Sequence, residues 1–180
     1  MTRSNFATIA CLLLSFVTAA CSKPAQNPAG ASSTASPTLA EDKHVASVNV
    51  VKATPEPVEL AAGSSGEAQV RLTIQSGYHI NANPPTYTYL IATALEFSPA
   101  DGISLGSITY PKPVSKKFVF AEKPLAVYEG ETEVNATLKA DKSAKQGQHS
   151  LKAKLRIQAC DEQVCYPPGT LDLMIPVTIK

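Results

Sequence analysis

Hydrophobic and polar residues alternate with a period of two along four stretches of the chain. Apolar side chains occupy every second position of residues 68–74, 134–138, 151–159 and 171–179, and mostly polar side chains lie between them. Because successive side chains of a β-strand point to opposite faces of a sheet, each stretch predicts a strand with one face on a core and one in water. No stretch has the pattern of a long amphipathic helix, although residues 139–145 could form one turn.

Turn-forming residues separate the predicted strands. Glycine, proline, asparagine, aspartate and serine are favoured in turns, and they cluster at residues 62–66, 75–77, 83–85, 99–102, 129–130 and 146–147. Many short antiparallel strands without helical crossovers predict an all-β fold, an immunoglobulin-like antiparallel β-sandwich over residues 44–180. A small β-barrel is the alternative.

The first twenty residues differ from the rest of the chain. They contain Arg3, a short apolar run and small residues directly before Cys21. This order is typical of a secretory signal peptide, and the run is too short to span a bilayer. A cysteine at this place resembles the lipobox of bacterial lipoproteins, so we expect Cys21 to be lipidated and Ser22 to favour the outer membrane. The alternative is an ordinary signal peptide, with Cys21 as an incidental thiol.

Residues 21–43 predict a flexible, lipid-anchored linker, because alanine, serine, proline and threonine dominate and large apolar residues are nearly absent. Removal of residues 1–20 takes away Arg3 and no acidic residue, which leaves equal numbers of basic and acidic side chains. Such a balanced chain has no electrostatic signature of nucleic-acid binding. We therefore expect contact with a membrane only through the lipid.

Two cysteines, Cys160 and Cys165, lie between the last two predicted strands. They would be the only thiols left after loss of the signal peptide and lipidation of Cys21. The strand pattern places Cys160 on the polar face, so we expect it to point away from the core. The four residues between the cysteines suit a hairpin, whose two arms could be joined by a disulfide. Pro167 and Pro168 then limit further pairing, which predicts a rim position.

Loop length favours a reactive pair over a structural one. A disulfide that closes about six residues contributes only about 2 kcal/mol, compared with about 4 kcal/mol for one that closes half a domain. Arg156 would favour a thiolate, whereas Asp161 and Glu162 would oppose it. A structural or incidental hairpin disulfide remains the alternative. Zinc has little support, because the three histidines, His44, His79 and His149, are scattered and no second cysteine pair exists.

Residues 157–168, which contain Gln158, Cys160, Cys165 and Tyr166, resemble the Tyr-Gln-x-Cys…Cys-Tyr-Pro-Pro signature of the N-terminal periplasmic domain of DsbD, the thiol:disulfide interchange reductase. Residues 76–80 and 128–130 also resemble family segments, and the similarity extends roughly over residues 45–180. The resemblance implies an immunoglobulin-like fold and a redox-active Cys160/Cys165 pair, with Cys165 attacking an incoming disulfide. One residue fewer separates the cysteines here than in the family's best-known member.

The resemblance also implies partners. In that family the pair receives electrons from a membrane-embedded domain and passes them to thioredoxin-like periplasmic acceptors, including those of cytochrome c maturation. This sequence contains neither a membrane conduit nor a thioredoxin-like domain, so we expect a separate membrane thiol reductase to reduce it. We expect a monomer without cofactor or metal, acting as a component of a protein-disulfide reductase system.

A cap loop over the disulfide is a further family feature. Residues 115–122 occupy its place, and either Phe118 or Phe120 would be the cap, with the spacing to Tyr128 favouring Phe120. The alternative is that both phenylalanines fill the core from one face of a strand. Lys116 and Lys117 replace the family's acidic cap residues, which would change the electrostatics of partner binding.

Two other functions remain open at this point. A binding or scaffold lipoprotein would use the sandwich surface, and its disulfide would only stiffen a hairpin. A metal-delivery protein would bind Cu(I) or Zn(II) through the reduced cysteines, although the sequence offers little else for such a site.

Overall fold

The structure, a computed structural model, describes residues 45–180. The predictions of a signal peptide, a lipidated Cys21 and a linker fall on residues outside this range. The described chain forms one 3₁₀ helix and twelve strands. In chain order they are the helix Ser47–Val50, β1 (Val51–Pro55), β2 (Val58–Leu60), β3 (Ser65–Ile74), β4 (His79–Asn81), β5 (Ala94–Phe97), β6 (Ile103–Thr109), β7 (Val114–Lys116), β8 (Leu125–Tyr128), β9 (Glu131–Ala140), β10 (Gly147–Ile157), β11 (Ala159–Cys160) and β12 (Gly169–Ile179).

Two four-stranded sheets form the body of the domain. One has the order β1-β3-β9-β6 and is antiparallel throughout, and the other has the order β2-β12-β10-β5. In the second sheet only β2 runs parallel to its neighbour, β12. A third, smaller antiparallel sheet has the order β11-β4-β8-β7. Within residues 45–180, no helix is long and apolar enough to cross a membrane.

The core contains the apolar positions that the alternating pattern identified. The buried side chains of β3 are Ala68, Val70, Leu72 and Ile74, and those of β10 are Leu151, Ala153, Leu155 and Ile157. Each large aliphatic side chain buried in this way stabilises the fold by about 1.5–3 kcal/mol. Since the sheets keep open edges, the prediction of an all-β, immunoglobulin-like sandwich is confirmed and the barrel alternative is wrong.

The longest pairing in the molecule supports the cysteine segment. Strands β10 and β12 pair without interruption from Gly147–Ile179 at one end to Ile157–Gly169 at the other. The connection between them, residues 158–168, leaves this sheet and adds the two-residue strand β11 to the edge of the third sheet. The cysteine segment is therefore an excursion between two firmly paired strands.

Candidate functional site

Cys160 and Cys165 are joined by a disulfide across a short hairpin. The two residues form an isolated antiparallel bridge, and their Cα atoms are 3.9 Å apart. The amide of Asp161 donates a hydrogen bond to the carbonyl of Val164 at 2.9 Å, which closes the four-residue tip. This arrangement has the chemistry of a dithiol–disulfide couple.

The two cysteine residues differ in their exposure to solvent. Cys160 is 0% exposed, so the prediction that it lies on the polar face is wrong, although it does not belong to the main core cluster. The reason is that β10 ends at Ile157, and both residues of β11 are then buried where this strand pairs with β4. Cys165 is partly exposed and packs against a second small hydrophobic cluster. A reagent would therefore reach Cys165 before Cys160.

The side chain of Gln158 fixes the base of the hairpin. Its Oε1 atom accepts hydrogen bonds from Nδ2 of Asn81 at 3.0 Å and from the amide of Ile91 at 2.8 Å. Its Nε2 atom donates to the carbonyl of Tyr166 at 3.2 Å. One amide group thus ties together β4, the loop before β5 and the residue that follows Cys165.

Ser47, on the 3₁₀ helix, holds the hairpin from the opposite side. Its hydroxyl donates to the carbonyl of Pro167 at 2.6 Å and accepts from the amide of Ala159 at 3.0 Å. Ser47 is itself buried. Both ends of the segment that carries the cysteines are therefore attached to the start of the described domain.

The predicted cap residues lie in the loop of residues 117–124, between β7 and β8. Phe118 is 1% exposed and belongs to the second hydrophobic cluster, together with Leu90, Leu125 and Val127. Phe120 is 41% exposed, and its ring lies 5.2 Å from that of Phe118, centre to centre. Since neither residue is on a strand and only one is buried, the interpretation that both fill a core from one strand face is wrong.

A groove of about 250 Å³ separates the cap loop from the hairpin tip. Its lining includes Phe120 and Leu125 as well as Val164 and Cys165 of the hairpin. The less buried cysteine and the more exposed phenylalanine therefore face the same cavity. Such an apolar groove beside a disulfide can admit a partner's side chain or be covered by a small movement of the loop.

Asp161 and Tyr166 brace the hairpin electrostatically. The Asp161 carboxylate accepts hydrogen bonds from the amides of Gln163 and Val164 at 2.7 and 2.8 Å, and from the Tyr166 hydroxyl. Burial, the largest single influence, raises the pKa of Asp161, but the hydrogen bonds from Tyr166, Gln163 and Val164 together outweigh it and lower that pKa. The hydrogen bond to Asp161, followed by burial, raises the pKa of Tyr166 to about 12.

The cation at the site is Lys116 rather than Arg156. Lys116 forms an ion pair with Glu162 of the hairpin tip at 2.9 Å, and its Nζ atom lies 3.8 Å from Glu129. Arg156 projects from β10, and within residues 45–180 no hydrogen bond or ion pair links it to the hairpin. The sequence placed Arg156 close to the cysteines only because it precedes them by a few positions.

His79 is the residue that sequence reasoning missed. It begins β4 and lies directly opposite Cys160, and its Nε2 atom is 2.6 Å from Nζ of Lys116 and 3.1 Å from Oε2 of Glu129. A histidine after a Gly-Tyr turn was visible in the sequence, but its pairing with Cys160 depends on contacts between distant segments. Within residues 45–180, no group of three or more His, Cys, Asp or Glu side chains is placed to hold a metal ion.

Comparison with known proteins adds a family match. The family model described as thiol:disulfide interchange protein DsbD, N-terminal, matches residues 47–175. The N-terminal periplasmic domain of ScsB from Proteus mirabilis is 16% identical, with a TM-score of 0.49 over 69% of this chain and 44% of that chain. The chain thus spans less than half the length of the ScsB chain. No curated protein sequence matches it.

A second solved structure is more distant. The CssB subunit of colonization factor CS6 from enterotoxigenic Escherichia coli, complemented with a donor strand from CssA, is 12% identical. Its TM-score is 0.40 over 74% of this chain and 99% of that chain.

Proposed function

Because the chain belongs to the family of N-terminal domains of the thiol:disulfide interchange protein DsbD, we propose that it is a thiol–disulfide exchange module whose working groups are Cys160 and Cys165. The observation that carries this proposal is the unequal burial of the two cysteine residues. Cys165 borders a groove that a partner can enter, and Cys160 is enclosed behind it. A disulfide that served only to stiffen the hairpin would need no groove at one sulfur.

The exchange runs through a mixed disulfide. The thiolate of Cys165 attacks one sulfur of the acceptor's disulfide, and the acceptor's second sulfur leaves as a thiolate. Cys160 then attacks Cys165, which releases the acceptor's first sulfur and re-forms the Cys160–Cys165 disulfide. Two electrons pass to the acceptor in this sequence. Burial of Cys160 favours the intramolecular step, since other thiols cannot reach that sulfur.

The cap loop controls access in this proposal. Phe120 lines the same groove as Cys165 and narrows the approach to it, and Phe118 anchors the loop in the second hydrophobic cluster. Entry of a partner widens the groove by moving Phe120 while Phe118 stays buried. The ion pair between Lys116 and Glu162 would hold the start of this loop to the hairpin tip until a partner replaces it.

The electron donor in the proposal is a separate membrane thiol reductase, and the acceptors are thioredoxin-like periplasmic proteins, including those of cytochrome c maturation. The chain acts as a monomer in the periplasm. Its signal peptide, residues 1–20, is removed, and the lipid on Cys21 anchors it to the outer membrane. Residues 21–43 act as the linker that holds the domain away from the membrane. The family match supports the exchange chemistry, and the residues quoted above support the anchor.

A trapping experiment tests the function. In a Cys160→Ser variant the mixed disulfide on Cys165 cannot be resolved, so a thioredoxin-like partner should stay covalently attached and be released by dithiothreitol. The Cys160→Ser/Cys165→Ser variant is the matched control and should trap nothing. The reduction potential of the wild type should lie near −200 mV, where exchange with periplasmic carriers is balanced.

The opposite outcome would support a scaffold lipoprotein with a structural disulfide. In that case no partner is trapped, the potential lies below about −300 mV, and the double serine variant keeps its fold and its binding partners.

A further inference from the structure

His79 is a buried histidine that lies directly opposite Cys160 on the neighbouring strand. It is 2% exposed, and it forms a directly opposed pair with Cys160 across β4 and β11. Side chains of such a pair lie on the same face of the sheet, with Cβ atoms about 4.5–5.5 Å apart. The imidazole ring also packs edge-on against Phe118, with ring centres 5.3 Å apart, which limits its rotation.

The outer nitrogen of this ring has two partners with opposite requirements. Nζ of Lys116 lies 2.6 Å from Nε2 and can only donate a hydrogen bond. Oε2 of Glu129 lies 3.1 Å from the same nitrogen and can only accept one. In a neutral ring, Nε2 therefore either accepts from Lys116, with the proton on Nδ1, or donates to Glu129, with Nδ1 free to accept.

The inner nitrogen, Nδ1, is buried and has no hydrogen-bond partner within residues 45–180. Buried polar atoms are rarely left unpaired, because the lost hydrogen bond to water is not replaced. In the disulfide state neither sulfur carries a proton or a charge. Reduction changes this, since Cys160 then becomes a thiol that can donate or a thiolate that can accept.

We propose that His79 is the proton acceptor and donor of Cys160, with Lys116 and Glu129 stabilising its two tautomers in turn. This inference rests on the exchange function proposed above and assigns the proton that the exchange must move. Because the ring can exchange tautomers without leaving its place, the relay needs no movement of the strands.

When the disulfide re-forms, Cys160 loses one proton and supplies one electron pair. The thiol of Cys160 gives its proton to Nδ1, and the proton on Nε2 passes to Glu129 and then to water. The electron pair of the Cys160 thiolate forms the bond to Cys165, and the acceptor's sulfur leaves with the pair of the broken bond. In the reverse direction an incoming thiolate attacks Cys165 and Cys160 leaves as a thiolate. Nδ1 donates its proton to this thiolate, while Nε2 takes up a proton from water through Glu129, so the ring stays neutral.

The surroundings provide an exit for the proton. A pocket of about 450 Å³, lined by Gly77, Lys116 and Glu129 among others, reaches His79 from outside. The Glu129 side chain is 46% exposed, so it connects the buried ring with water. The charged groups around the ring are Lys116 from β7, Glu129 from the turn after β8, and Glu162 of the hairpin tip, which acts through its ion pair with Lys116.

Thiolate absorbance at 240 nm, followed against pH, tests the relay. A Cys165→Ser background leaves Cys160 as the only thiol of the site, and the double serine variant supplies the blank. His79→Phe keeps an aromatic ring against Phe118 but carries no nitrogen. We expect it to lower the thiolate fraction of Cys160 at neutral pH by about tenfold, equivalent to one unit of pH. His79→Asn should restore part of this loss, because its amide can donate to the sulfur but cannot titrate.

His149→Gln is the matched control, because it removes a histidine near the other end of β10, where it contacts Asp101 and Lys145. The Cys160 titration of this variant should be the same as that of the unaltered background. A His79→Phe curve that superimposes on the background curve would overturn the relay.

A second measurement needs no substitution at His79 and so does not depend on the variant folding. Long-range ¹⁵N NMR of the wild type should show different proton positions on the His79 ring in the disulfide and dithiol forms. An identical tautomer and charge in both forms would also overturn the inference. Neither readout uses a partner protein. A failed trapping experiment with a His79-dependent titration therefore refutes the exchange function alone, and a normal trap with an unchanged titration refutes the relay alone.

Discussion

The hydroxyl of Tyr166 donates a hydrogen bond to the carboxylate of Asp161, so the residue after the second cysteine is tied to the residue after the first. The same carboxylate accepts hydrogen bonds from the backbone amides of Gln163 and Val164. None of these bonds involves sulfur. We therefore expect the hairpin to keep its shape when the disulfide is reduced, which would hold the two thiols ready to re-form it.

The Tyr166–Asp161 bond gives a prediction with a defined pH range. The pKa of Tyr166 is raised from 10.0 to about 12, so its contribution to stability is complete below pH 10 and is lost as the pH rises towards 12. The pKa of Asp161 is lowered from 3.8, so its contribution is complete above that pH and is lost as the pH falls through the folded-state value. The bond should therefore stabilise the hairpin fully from about pH 4 to 10.

Absorbance at 295 nm measures the ionisation of Tyr166 directly. The tyrosinate signal of the wild type minus that of Tyr166→Phe should titrate near pH 12, and Asp161→Asn should move this component towards pH 10. Asp172→Asn removes an exposed carboxylate from β12 and should not move it. If the wild-type component already titrates near pH 10, the bond is absent in solution.

The cap loop predicts effects on two different quantities, the rate of disulfide reduction for Phe120 and the stability of the fold for Phe118. Phe120→Ala should speed reduction of the disulfide by a small phosphine about tenfold, a change of about 1.4 kcal/mol in the barrier, with little loss of stability. Phe118→Ala should instead lower the free energy of unfolding by about 3–5 kcal/mol, because Phe118 is buried. Stopped-flow reduction and urea unfolding of the oxidised protein measure the two effects.

Val119→Ala is the control for the cap experiment, because Val119 lies between the two phenylalanines and is almost fully exposed. It should change neither the reduction rate nor the stability. Equal reduction rates for Phe120→Ala and the wild type would show that Phe120 does not cover the disulfide.

Ser47 predicts a large effect from the loss of one oxygen atom. Ser47→Ala leaves the amide of Ala159 without its acceptor and the carbonyl of Pro167 without its donor. We expect the free energy of unfolding in urea to fall by about 1–3 kcal/mol. Ser150→Ala, at an exposed position of β10, should change it by less than about 0.5 kcal/mol. Similar losses in both variants would contradict the role assigned to Ser47.

Gln158 can be tested by exchanging its amide for a carboxylate. In Gln158→Glu the two accepted bonds, from Asn81 and Ile91, can persist, but the bond donated to the carbonyl of Tyr166 is lost. The new carboxylate oxygen and the carbonyl oxygen of Tyr166, which are both hydrogen-bond acceptors, then face each other. Hydrogen exchange of the Tyr166 amide, which bonds to the carbonyl of Ala159, should therefore become about tenfold faster, a local loss of about 1.4 kcal/mol.

Gln148→Glu provides the comparison for this experiment, since Gln148 lies at the exposed start of β10, the strand that precedes Gln158. In this variant the Tyr166 amide should exchange at the same rate as in the wild type. Amides of β12 should be unaffected in both variants. Uniformly faster exchange across β10 and β12 would mean that Gln158 supports the whole sheet rather than the hairpin.

The sandwich was predictable because its signal is local. The alternation from Ala68 to Ile74 depends only on which side chains face a core, and the structure buries the apolar residues of that set. The hairpin was also predictable, because four residues between two cysteines suit a tight connection. The three-residue strand β2 could not be predicted in the same way, because so short a segment shows no alternating pattern. Its position is set by its parallel pairing with β12.

The site was less predictable than the fold, because its contacts join distant segments. Strand alternation was extended through Gln158 to Cys160, but the chain leaves its sheet at Gln158, and the alternation no longer applies. His79 meets Cys160 only through the edge pairing of two very short strands, β4 and β11. Proximity in sequence suggested Arg156 as the nearby cation, whereas the fold brings Lys116 there from 46 positions before Glu162.

The uninterrupted pairing of β10 with β12 has a consequence for how such a domain can diversify. Since Ile157 and Gly169 close the ladder below the cysteine segment, residues can be added to or removed from 158–168 without shifting the register of any core side chain. The number of residues between the cysteines is therefore free to vary while the scaffold stays the same. A protein engineer could graft hairpins of other lengths onto this ladder and change the redox chemistry and the stability separately.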